Sequence, residues 1–195
     1  MIGVSIALPF MGKKNKTAVR FDGVDDLIQT PVGNGINPFE EELIFYFLVK
    51  VNQFTQYNSL FGSKNGTNQR LYINAASGKW GIGIQSQSTL LGSESVKIGI
   101  WQTIKLEIKQ GFAKLYVDGI LSQTIEFTPY TLASNFMIGS NIIGYLAGDI
   151  ACCRIYRNGI PWLIYEMEDG VGLTVLDSSD NGNTGDIIGG TWVEV

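Results

Sequence analysis

The sequence predicts an all-β fold in which two antiparallel sheets pack face to face. Charged residues make up 16% of the 195 residues, against about 25% in typical globular domains. Glycine occurs 24 times, which favours many tight turns and few solvated helices. Apolar residues recur with a period of two along several segments, as expected for strands. No segment keeps a helical pattern beyond a turn or two around PWLIYEME.

A three-strand meander is predicted in the middle of the chain. Ile104, Leu106 and Ile108 alternate with polar residues, which is the pattern of a half-buried strand. Turn signals follow at Gln110–Gly111 and Asp118–Gly119, and the residues between and beyond them alternate again. Short glycine-containing turns between alternating segments predict antiparallel pairing.

A hairpin precedes this meander. The stretch RLYINAASGKWGIGI has Ser77–Gly78 at its turn, and its alternation places Trp80 on one face and Gly81 and Gly83 on the other. Glycines within a strand let another backbone or a ligand approach closely. We therefore expect open space on that side of the hairpin.

The stretch GDIACCRIY is predicted to form a further strand. Its alternation places Ala151, Cys153 and Ile155 on one face, and Arg154 and Tyr156 on the other. The two cysteines are sequence neighbours and point to opposite faces, which suits neither an ordinary disulfide nor a metal pair. We expect two free, half-buried thiols.

One predicted strand breaks the alternation. In ELIFYFLVKV both alternating sets of residues are apolar, so we expect the outer face of the sheet to be covered here as well. The cover is either the chain's own apolar N-terminal arm, Ile2–Met11, or a neighbouring protein.

Composition excludes several classes of function. The net charge of -4, without a long basic run, leaves nucleic acid little to bind. Histidine is absent, which removes the commonest general base, the commonest neutral metal ligand and the Ser-His and Cys-His nucleophile pairs. No segment approaches the about 20 apolar residues that span a bilayer. We expect a protein that is not an enzyme and has no nucleic-acid or membrane partner.

Residues 1–16 are predicted to form an apolar N-terminal arm. No positive region precedes its apolar run, and the basic stretch KKNK follows it, so it lacks the features of a secretion signal. We expect this arm to be an assembly contact, ordered when it docks. Its candidate contact residues alternate along the arm: Ile2, Val4, Ile6, Leu8 and Phe10.

Three segments resemble, in order, the signature segments of laminin-G-like or concanavalin A-like jelly-roll domains. They are VRFDGVDDLIQTP, WQTIKLEIKQGFAKLYVDGILSQT and IGSNIIGYLAGDIACCRIYRNG. The tail YEMEDGVGLTVLDSSDNGNTGDIIGGTW resembles a further segment that precedes the FDG strand in many relatives, as though the chain had been permuted. The resemblance implies a two-sheet antiparallel jelly-roll sandwich of the concanavalin A-like lectin/glucanase type, with residues 17–195 as a single domain.

Small proteins arranged in this way also resemble virion proteins of tailed phages. That resemblance implies a non-enzymatic structural or accessory protein of the capsid or tail, present in many copies beside other virion proteins and assembled in the cytoplasm of a bacterial host. The lectin-like fold implies a contribution to adhesion on host-surface glycans. The alternatives are a carbohydrate-binding module of a bacterial cell and, third, a glycoside hydrolase.

The aspartates of FDGVDD have two interpretations. For the family at large, Asp22–Gly23 forms a turn, and Asp25 and Asp26 cap backbone amides where a strand begins. The rival is a calcium site, because some relatives bind calcium and carboxylate oxygens from two loops suit that ion. Its candidate ligands are Asp25 and Asp26 with Asp177 and Asp180 from DSSDNGNTGD. No other cofactor is expected.

Four residues are candidates for ligand binding. Tyr145 and Asn141 lie in the glycine-flanked loop GSNIIGYLAG, and Lys64 and Arg70 lie in the polar hairpin LFGSKNGTNQR. A flat ring with a nearby amide suits the face of a sugar. The alternative for each residue is ordinary loop packing or solvent exposure.

A hydrolase of this fold would need two carboxyl groups flanking a sugar. Glu166 and Glu168 in YEMED would share one face if that segment were a strand, and retaining enzymes hold such groups about 5–5.5 Å apart. A third acid in alternation with these two is missing, so we expect no catalytic residue.

Overall fold

The computed structural model describes residues 16–55, 58–63, 69–84, 90–141 and 144–195. Within these ranges the regular elements are all β-strands. They form two antiparallel sheets that pack face to face, which confirms the predicted all-β sandwich. None of the described residues belongs to a helix with the length and apolar character needed to cross a bilayer.

The first sheet, sheet A, has eight strands. These are β1 (Thr17–Asp22), β3 (Leu43–Val51), β8 (Trp101–Lys109), β9 (Phe112–Val117), β10 (Ile120–Glu126), β12 (Ala147–Arg157), β13 (Ile160–Tyr165) and β16 (Thr191–Glu194). Their order is β10-β9-β8-β3-β12-β1-β16, and β13 also pairs with β12. Among the described strands, the last along the chain, β16, therefore lies beside the first, β1.

The second sheet, sheet B, also has eight strands. These are β2 (Leu27–Gln29), β4 (Asn58–Ser63), β5 (Gln69–Asn74), β6 (Lys79–Ile84), β7 (Leu90–Ser95), β11 (Phe136–Ile138), β14 (Thr174–Val175) and β15 (Gly185–Ile188). Their order is β14-β15-β2-β11-β4-β5-β6-β7. The C-terminal tail thus contributes strands to both sheets.

An aromatic cluster joins the two sheets at the centre of the core. Phe45 and Phe47 extend from β3, and Phe61 and Phe136 extend from β4 and β11. The ring of Phe61 lies 4.6 Å from that of Phe45 and 4.8 Å from that of Phe136, measured between centroids. Aromatic pairs at such distances contribute beyond their buried area, so this cluster is a main source of sandwich stability.

The predicted meander is confirmed as β8, β9 and β10. Both of its turns place two consecutive residues at positive φ, with 47° and 81° at Gln110 and Gly111 and 50° and 82° at Asp118 and Gly119. Two-residue turns of this kind match the twist of paired strands. The predicted hairpin is confirmed as β5 and β6, with Gly78 at a φ of 64° in its turn.

One detail of β12 differs from the prediction. The pairing with β3 shifts register between Ile150 and Cys152, so Ala151 is an extra residue, as in a β-bulge. Ile150 therefore joins Cys153 and Ile155 in the core, and Ala151 lies outside the core cluster. The predicted grouping of Ala151 on one face with Cys153 and Ile155 is wrong, because a bulge resets the alternation.

The outer face of β3 is buried, as its apolar sequence predicts. Ile44 is 9% exposed and Tyr46 is 4% exposed. The ring of Tyr156 meets that of Tyr46 edge-on at 5.9 Å, and Lys105 Nζ lies 5.6 Å from the Tyr46 centroid. Residues 1–15 of the N-terminal arm, which include its candidate contact residues, lie outside the described residues, so the docking of the arm stays a prediction.

The two buried cysteines are expected to resist alkylation in the folded protein. Burial raises the pKa of Cys152 to about 12 and holds that of Cys153 well above its ordinary value. Because the thiolate is the reacting form, labelling by a maleimide at pH 8 should be at least ~100-fold slower than for free cysteine. Guanidinium should restore rapid labelling of both thiols. Native labelling at the rate of free cysteine would contradict this assignment.

Candidate functional site

Two predicted parts of the site, the Asp22–Asp26 loop and Tyr145, meet at one end of the sandwich, together with Thr55, which the sequence did not predict. We call this end the rim. Asp22 pairs with Ala147, two residues after Tyr145. The hydroxyl of Thr55 donates a hydrogen bond to the carbonyl oxygen of Tyr145 at 3.4 Å. Strand pairing therefore brings together loops that are far apart in the sequence.

Gly23 makes the close packing at the rim feasible. Its φ is 87°, and a Cβ atom there would lie 2.8 Å from the side chains of both Ala147 and Thr55. Positive φ at a crowded site favours glycine. A side chain at this position would push the three loops apart.

The aspartates at the rim organise the turn. Asp22 Oδ1 accepts a hydrogen bond from the N–H of Val24 at 2.7 Å. Asp26 Oδ2 accepts one from the N–H of Asp22 at 2.8 Å. Asp25 is exposed and makes no such bond among the described residues. The turn interpretation therefore holds for Asp22 and Asp26, and not for Asp25.

The same three aspartates also form a cluster of oxygen donors. One carboxylate oxygen from each of Asp22, Asp25 and Asp26 lies within 4.8 Å of the others. Burial raises the pKa of Asp26, and the charges of Asp22 and Asp25 act in the same direction. Hard oxygen donors are the ligands that calcium prefers. Asp22 was not among the predicted ligands, although it belongs to the same FDGVDD motif.

The structure does not bring Asp177 into this cluster. Asp26 directly precedes β2, at the end where Leu27 pairs with Ile188. Asp177 instead accepts a hydrogen bond from the N–H of Asn183, beyond the opposite end of β15. The two parts of the predicted ligand set therefore lie at opposite ends of the β2 and β15 pair.

Asp177 shapes its own loop. Its two oxygens accept hydrogen bonds from the N–H groups of Ile164, Ser179 and Asn183 and from the Ser179 hydroxyl. Burial acts to raise the pKa of Asp177, but these hydrogen bonds outweigh it and hold the pKa below its ordinary value. Asp180 is exposed and has a φ of 66°, a conformation that aspartate tolerates in turns.

Calcium at millimolar concentration is expected to leave the melting temperature unchanged. One oxygen of Asp22 and one of Asp26 already serve the turn, whereas tight calcium sites supply six to eight oxygens. Thermal unfolding with 5 mM calcium or with a chelator measures the effect. The matched control is Asp25→Asn, which removes a carboxylate charge from the cluster without removing a cap. An upward shift that Asp25→Asn abolishes would establish a calcium site at the rim.

Asn141 and Tyr145, both described residues of one loop, differ in accessibility at the rim. Asn141 is 2% exposed, and its Oδ1 accepts a hydrogen bond from the N–H of Gly144 at 3.0 Å. Tyr145 is half-buried and forms a β-bridge with Ser140. Asn141 therefore positions the loop, and Tyr145 offers the surface that a ligand can contact.

Arg70 lies elsewhere, on the outer face of sheet B. It pairs with Gly62 and Gly83, and its guanidinium lies 4.8 Å from the centroid of the Tyr72 ring. The opposite end of β5 is the one near the Thr55 loop, because Ile73 pairs there with Asn58. Arg70 is therefore not part of the rim. Lys64, its predicted companion, lies outside the described residues.

The glycines of β6 accommodate side chains of the protein itself. A Cβ atom on Gly81 would lie 2.9 Å from Tyr72, and one on Gly83 would lie 2.7 Å from Arg70. The open space that the sequence predicts on this face is therefore taken by Tyr72 and Arg70, which lie against the sheet.

Glu166 and Glu168 do not alternate on one strand. β13 ends at Tyr165, and Met167 between the two acids has a φ of 52° and is 1% exposed. Glu166 binds the guanidinium of Arg154 through both oxygens, at 2.9 and 3.1 Å. The condition on which the hydrolase alternative depended, a strand through both acids, is not met.

Two antiparallel sheets with a loop cluster at one end define a lectin-like β-sandwich. The Laminin_G_3 family model, described as the concanavalin A-like lectin/glucanases superfamily, matches residues 22–160. This match spans more than half of the chain, and the chain belongs to that family. The predicted family resemblance is thereby confirmed. No curated protein matches the sequence.

Solved structures share this fold at low sequence identity. A candidate carbohydrate binding protein from Bacteroides ovatus is 17% identical, with a TM-score of 0.76 over 94% of this chain and 61% of that chain. A heptameric SAP-like pentraxin from Limulus polyphemus is 14% identical, with a TM-score of 0.54 over 72% of this chain and 76% of that chain. The chain thus spans less than two thirds of the Bacteroides protein.

A third similar structure contains a bound sugar. Domain 4 of AbnA, an extracellular arabinanase from Geobacillus stearothermophilus, was solved in complex with arabinotriose. It is 18% identical, with a TM-score of 0.51 over 72% of this chain and 70% of that chain. At these identities the likenesses establish the fold.

Proposed function

We propose that this protein is a non-catalytic, lectin-like carbohydrate-binding module. The family to which the chain belongs supports the proposal. The descriptions of two structures that share its fold, the candidate carbohydrate binding protein from Bacteroides ovatus and the arabinotriose complex of AbnA domain 4, also support it.

The observation that carries the proposal is the chemistry of the rim. The half-buried ring of Tyr145 lies on the loop that Thr55 contacts, next to the Asp22–Asp26 loop. Sugars are recognised by an aromatic face together with acceptors for their hydroxyl groups. Asp25 is exposed and engaged with no described backbone amide, so it is available as such an acceptor.

An array of neutral and acidic glycans tests this function. Binding to at least one glycan is expected, and Tyr145→Ala should weaken it by about tenfold or more, because an aromatic contact contributes on the order of 1–3 kcal/mol to sugar or base stacking. Phe112→Ala is the matched control, since this aromatic residue is 45% exposed on the distant β9. An equal loss of glycan affinity in both variants, or an array with no bound glycan, would contradict a sugar-binding site at the rim.

Binding without catalysis is the second part of the proposal. Glu166 is held by Arg154 and separated from Glu168 by the turn at Met167, so this pair does not flank a groove in the way that a glycosidase requires. Incubation of glycans that bind with excess protein should release no reducing sugar. Hydrolysis that Glu166→Gln abolishes would instead support an enzyme.

We also propose that the domain is attached to a phage virion as one of many copies in the capsid or tail, assembled in the cytoplasm of a bacterial host. The resemblance of the sequence segments supports this proposal, as does the alternation of Ile2, Val4, Ile6, Leu8 and Phe10 in the arm. Deletion of residues 1–16 should abolish incorporation into particles while leaving the sandwich folded. An unchanged number of copies in the particle would show that residues 1–16 are not the anchor.

A further inference from the structure

The carboxylate of Asp149 connects the three strands that lead to the rim. Asp149 lies near the start of β12 and pairs across the sheet with Arg20 on β1 and Lys50 on β3. β1 continues from Arg20 into the Asp22–Asp26 loop, and β3 continues from Lys50 towards Thr55. Each of the three strands therefore reaches the rim within a few residues of this one carboxylate.

Both oxygens of the Asp149 carboxylate bind partners within the protein. Oδ1 accepts hydrogen bonds from Arg20 Nε at 2.7 Å and from Asn52 Nδ2 at 3.3 Å. Oδ2 accepts one from Arg20 Nη2 at 3.2 Å and lies 2.7 Å from Lys50 Nζ. A carboxylate has about four acceptor positions, and the side chain of Asp149 is only 1% exposed. The carboxylate therefore holds its three partners with little competition from water.

Asn52 extends this network to the loops of the rim. Its N–H donates a hydrogen bond to the carbonyl oxygen of Ala147 at 2.9 Å, while its side chain binds Asp149. Ala147 follows Tyr145 by two residues, and the carbonyl oxygen of Tyr145 accepts the hydrogen bond from Thr55. The position of Tyr145 therefore depends on a short series of contacts that begins at Asp149.

Loss of the negative charge would change the spacing of these strands. Arg20 and Lys50 lie on opposite sides of β12 and both bind Asp149, so without it two cations would repel each other across β12. β12 also lies close to β3 here, since a Cβ atom on Gly148 would be 2.5 Å from the carbonyl oxygen of Lys50. Because closely packed backbones move together, a shift at Lys50 would be transmitted to the rim.

We propose that Asp149 is the positioning residue of the sugar site, and that its carboxylate holds the rim loops at the spacing that a glycan requires. This role rests on the proposed carbohydrate-binding function and names the residue that sets the affinity of the site. Because Asp149 is fully buried, it acts through the loops and not by contact with the sugar.

Hydrogen exchange of the free protein tests the positioning role without any glycan. The amide of Leu146, next to Tyr145, donates a backbone hydrogen bond at 2.8 Å, and the amide of Phe127 donates one of equal length at the β8–β9 turn, at the opposite end of the sandwich. In Asp149→Asn the ratio of the Leu146 rate to the Phe127 rate should rise about tenfold, because the rim opens more often. Phe61→Leu is the control, since it lowers stability from the centre of the core and should leave this ratio unchanged.

The array of neutral and acidic glycans supplies the second probe. Asp149→Asn should weaken binding to each glycan that the wild type binds by about tenfold, an effect as large as loss of the aromatic contact. In a Tyr145→Ala background the same change should weaken binding by less than about twofold, because residues that act through one another are not additive. Phe61→Leu should bind glycans as the wild type does.

Asn52→Ala is a milder second variant. It cuts the link to the Thr55 loop and leaves both ion pairs of Asp149 in place, so it should weaken glycan binding by about threefold. Gln53→Ala is its matched control, because the exposed side chain of Gln53 makes no hydrogen bond within the described residues. Equal affinities of these two variants would contradict the link through Asn52.

A pH profile separates the charge of Asp149 from its bulk. Burial acts to raise the pKa of Asp149, but Arg20 and Lys50, the charged groups that face it, hold the pKa below its ordinary value. The ratio of wild-type to Asp149→Asn glycan affinity should therefore be constant between pH 5 and pH 7 and fall towards one only below about pH 4. The acids of the Asp22–Asp26 loop are present in both proteins, so their titration cancels in this ratio.

The outcomes distinguish this inference from the proposed function. An unchanged ratio of exchange rates, or an Asp149→Asn variant that binds glycans as the wild type does, overturns the positioning role and leaves glycan binding intact. An equal loss of affinity with and without Tyr145 overturns it as well. An array on which the wild type binds no glycan overturns the proposed function and, with it, this role.

Discussion

Replacing Phe61 by alanine is expected to lower the free energy of unfolding by about 3–5 kcal/mol, the range measured for large buried aromatic residues. Phe61 is fully buried and lies between rings from both sheets, with centroids 4.6 Å from Phe45 and 4.8 Å from Phe136. Its removal leaves a cavity where sheet A and sheet B meet. A domain of this size should lose roughly 10 °C in melting temperature.

Two controls isolate the effect of the cavity at Phe61. Phe61→Leu keeps much of the volume and should cost only about 1–2 kcal/mol. Phe112→Ala removes the same ring from a position that is 45% exposed and should cost less than about 1 kcal/mol. Chemical unfolding with an unchanged denaturant slope measures each difference. A Phe61→Ala variant as stable as Phe112→Ala would show that the two sheets do not share this core.

Replacing Asp149 by asparagine is expected to cost about 2–3 kcal/mol at neutral pH, because the charged hydrogen bonds of a buried carboxylate would be lost. Asp149 is fully buried on β12. Its carboxylate binds Arg20 Nε and Lys50 Nζ, each at 2.7 Å, and also accepts a hydrogen bond from Asn52 at 3.3 Å. Arg20 is 49% exposed, so water can hydrate it after the change and limit the cost.

The effect of Asp149 should depend on pH in a defined direction. Burial acts to raise the pKa of Asp149, but the hydrogen bonds and charges of Arg20 and Lys50 outweigh it and hold the pKa below its ordinary value. A carboxylate with a depressed pKa stabilises the folded state above its unfolded pKa of about 3.9, and this contribution is lost as the pH falls through the folded value. The difference between wild type and Asp149→Asn should therefore shrink below about pH 4.

Stability curves between pH 2 and pH 7 check this dependence. Asp186→Asn is the matched control, because the exposed side chain of Asp186 makes no hydrogen bond or ion pair within the described residues. The free energy of unfolding of Asp186→Asn should follow that of the wild type from pH 2 to pH 7. A constant difference for Asp149→Asn down to pH 2 would contradict an ionised carboxylate in the folded state.

Local sequence patterns predicted much of the fold because the signals are short in range. The alternation around Ile104 and the turns at Gln110–Gly111 and Asp118–Gly119 fix β8, β9 and β10 without knowledge of any other segment. The two apolar sets of β3 likewise predicted burial on both faces, and Tyr46 is indeed buried on the outer one. The segment resemblance identified the family.

The candidate site was less predictable because it depends on contacts between distant segments. The FDGVDD motif and the Tyr145 loop were each identified as candidates, but their proximity follows from the pairing of Asp22 with Ala147. Asp177 was grouped with Asp26 by chemical type, whereas the strands hold the two apart. Nothing in the sequence singled out Thr55, whose contact with the Tyr145 carbonyl exists only in the folded chain.

By itself, the sequence determined that this protein is an all-β sandwich with tight turns and that it carries the segments of a lectin-like family. The absence of histidine also excluded mechanisms that depend on a histidine base. Period, turn composition and residue content are properties of neighbouring residues, so they can be read along the chain. Only the tertiary structure decided that Ala151 is a bulge, that Met167 separates Glu166 from Glu168, and that Arg20, Arg154 and Arg157 form ion pairs with acids of the described chain whereas Arg70 stacks on Tyr72. These features depend on register and side-chain partners across strands far apart in sequence, which no local pattern encodes.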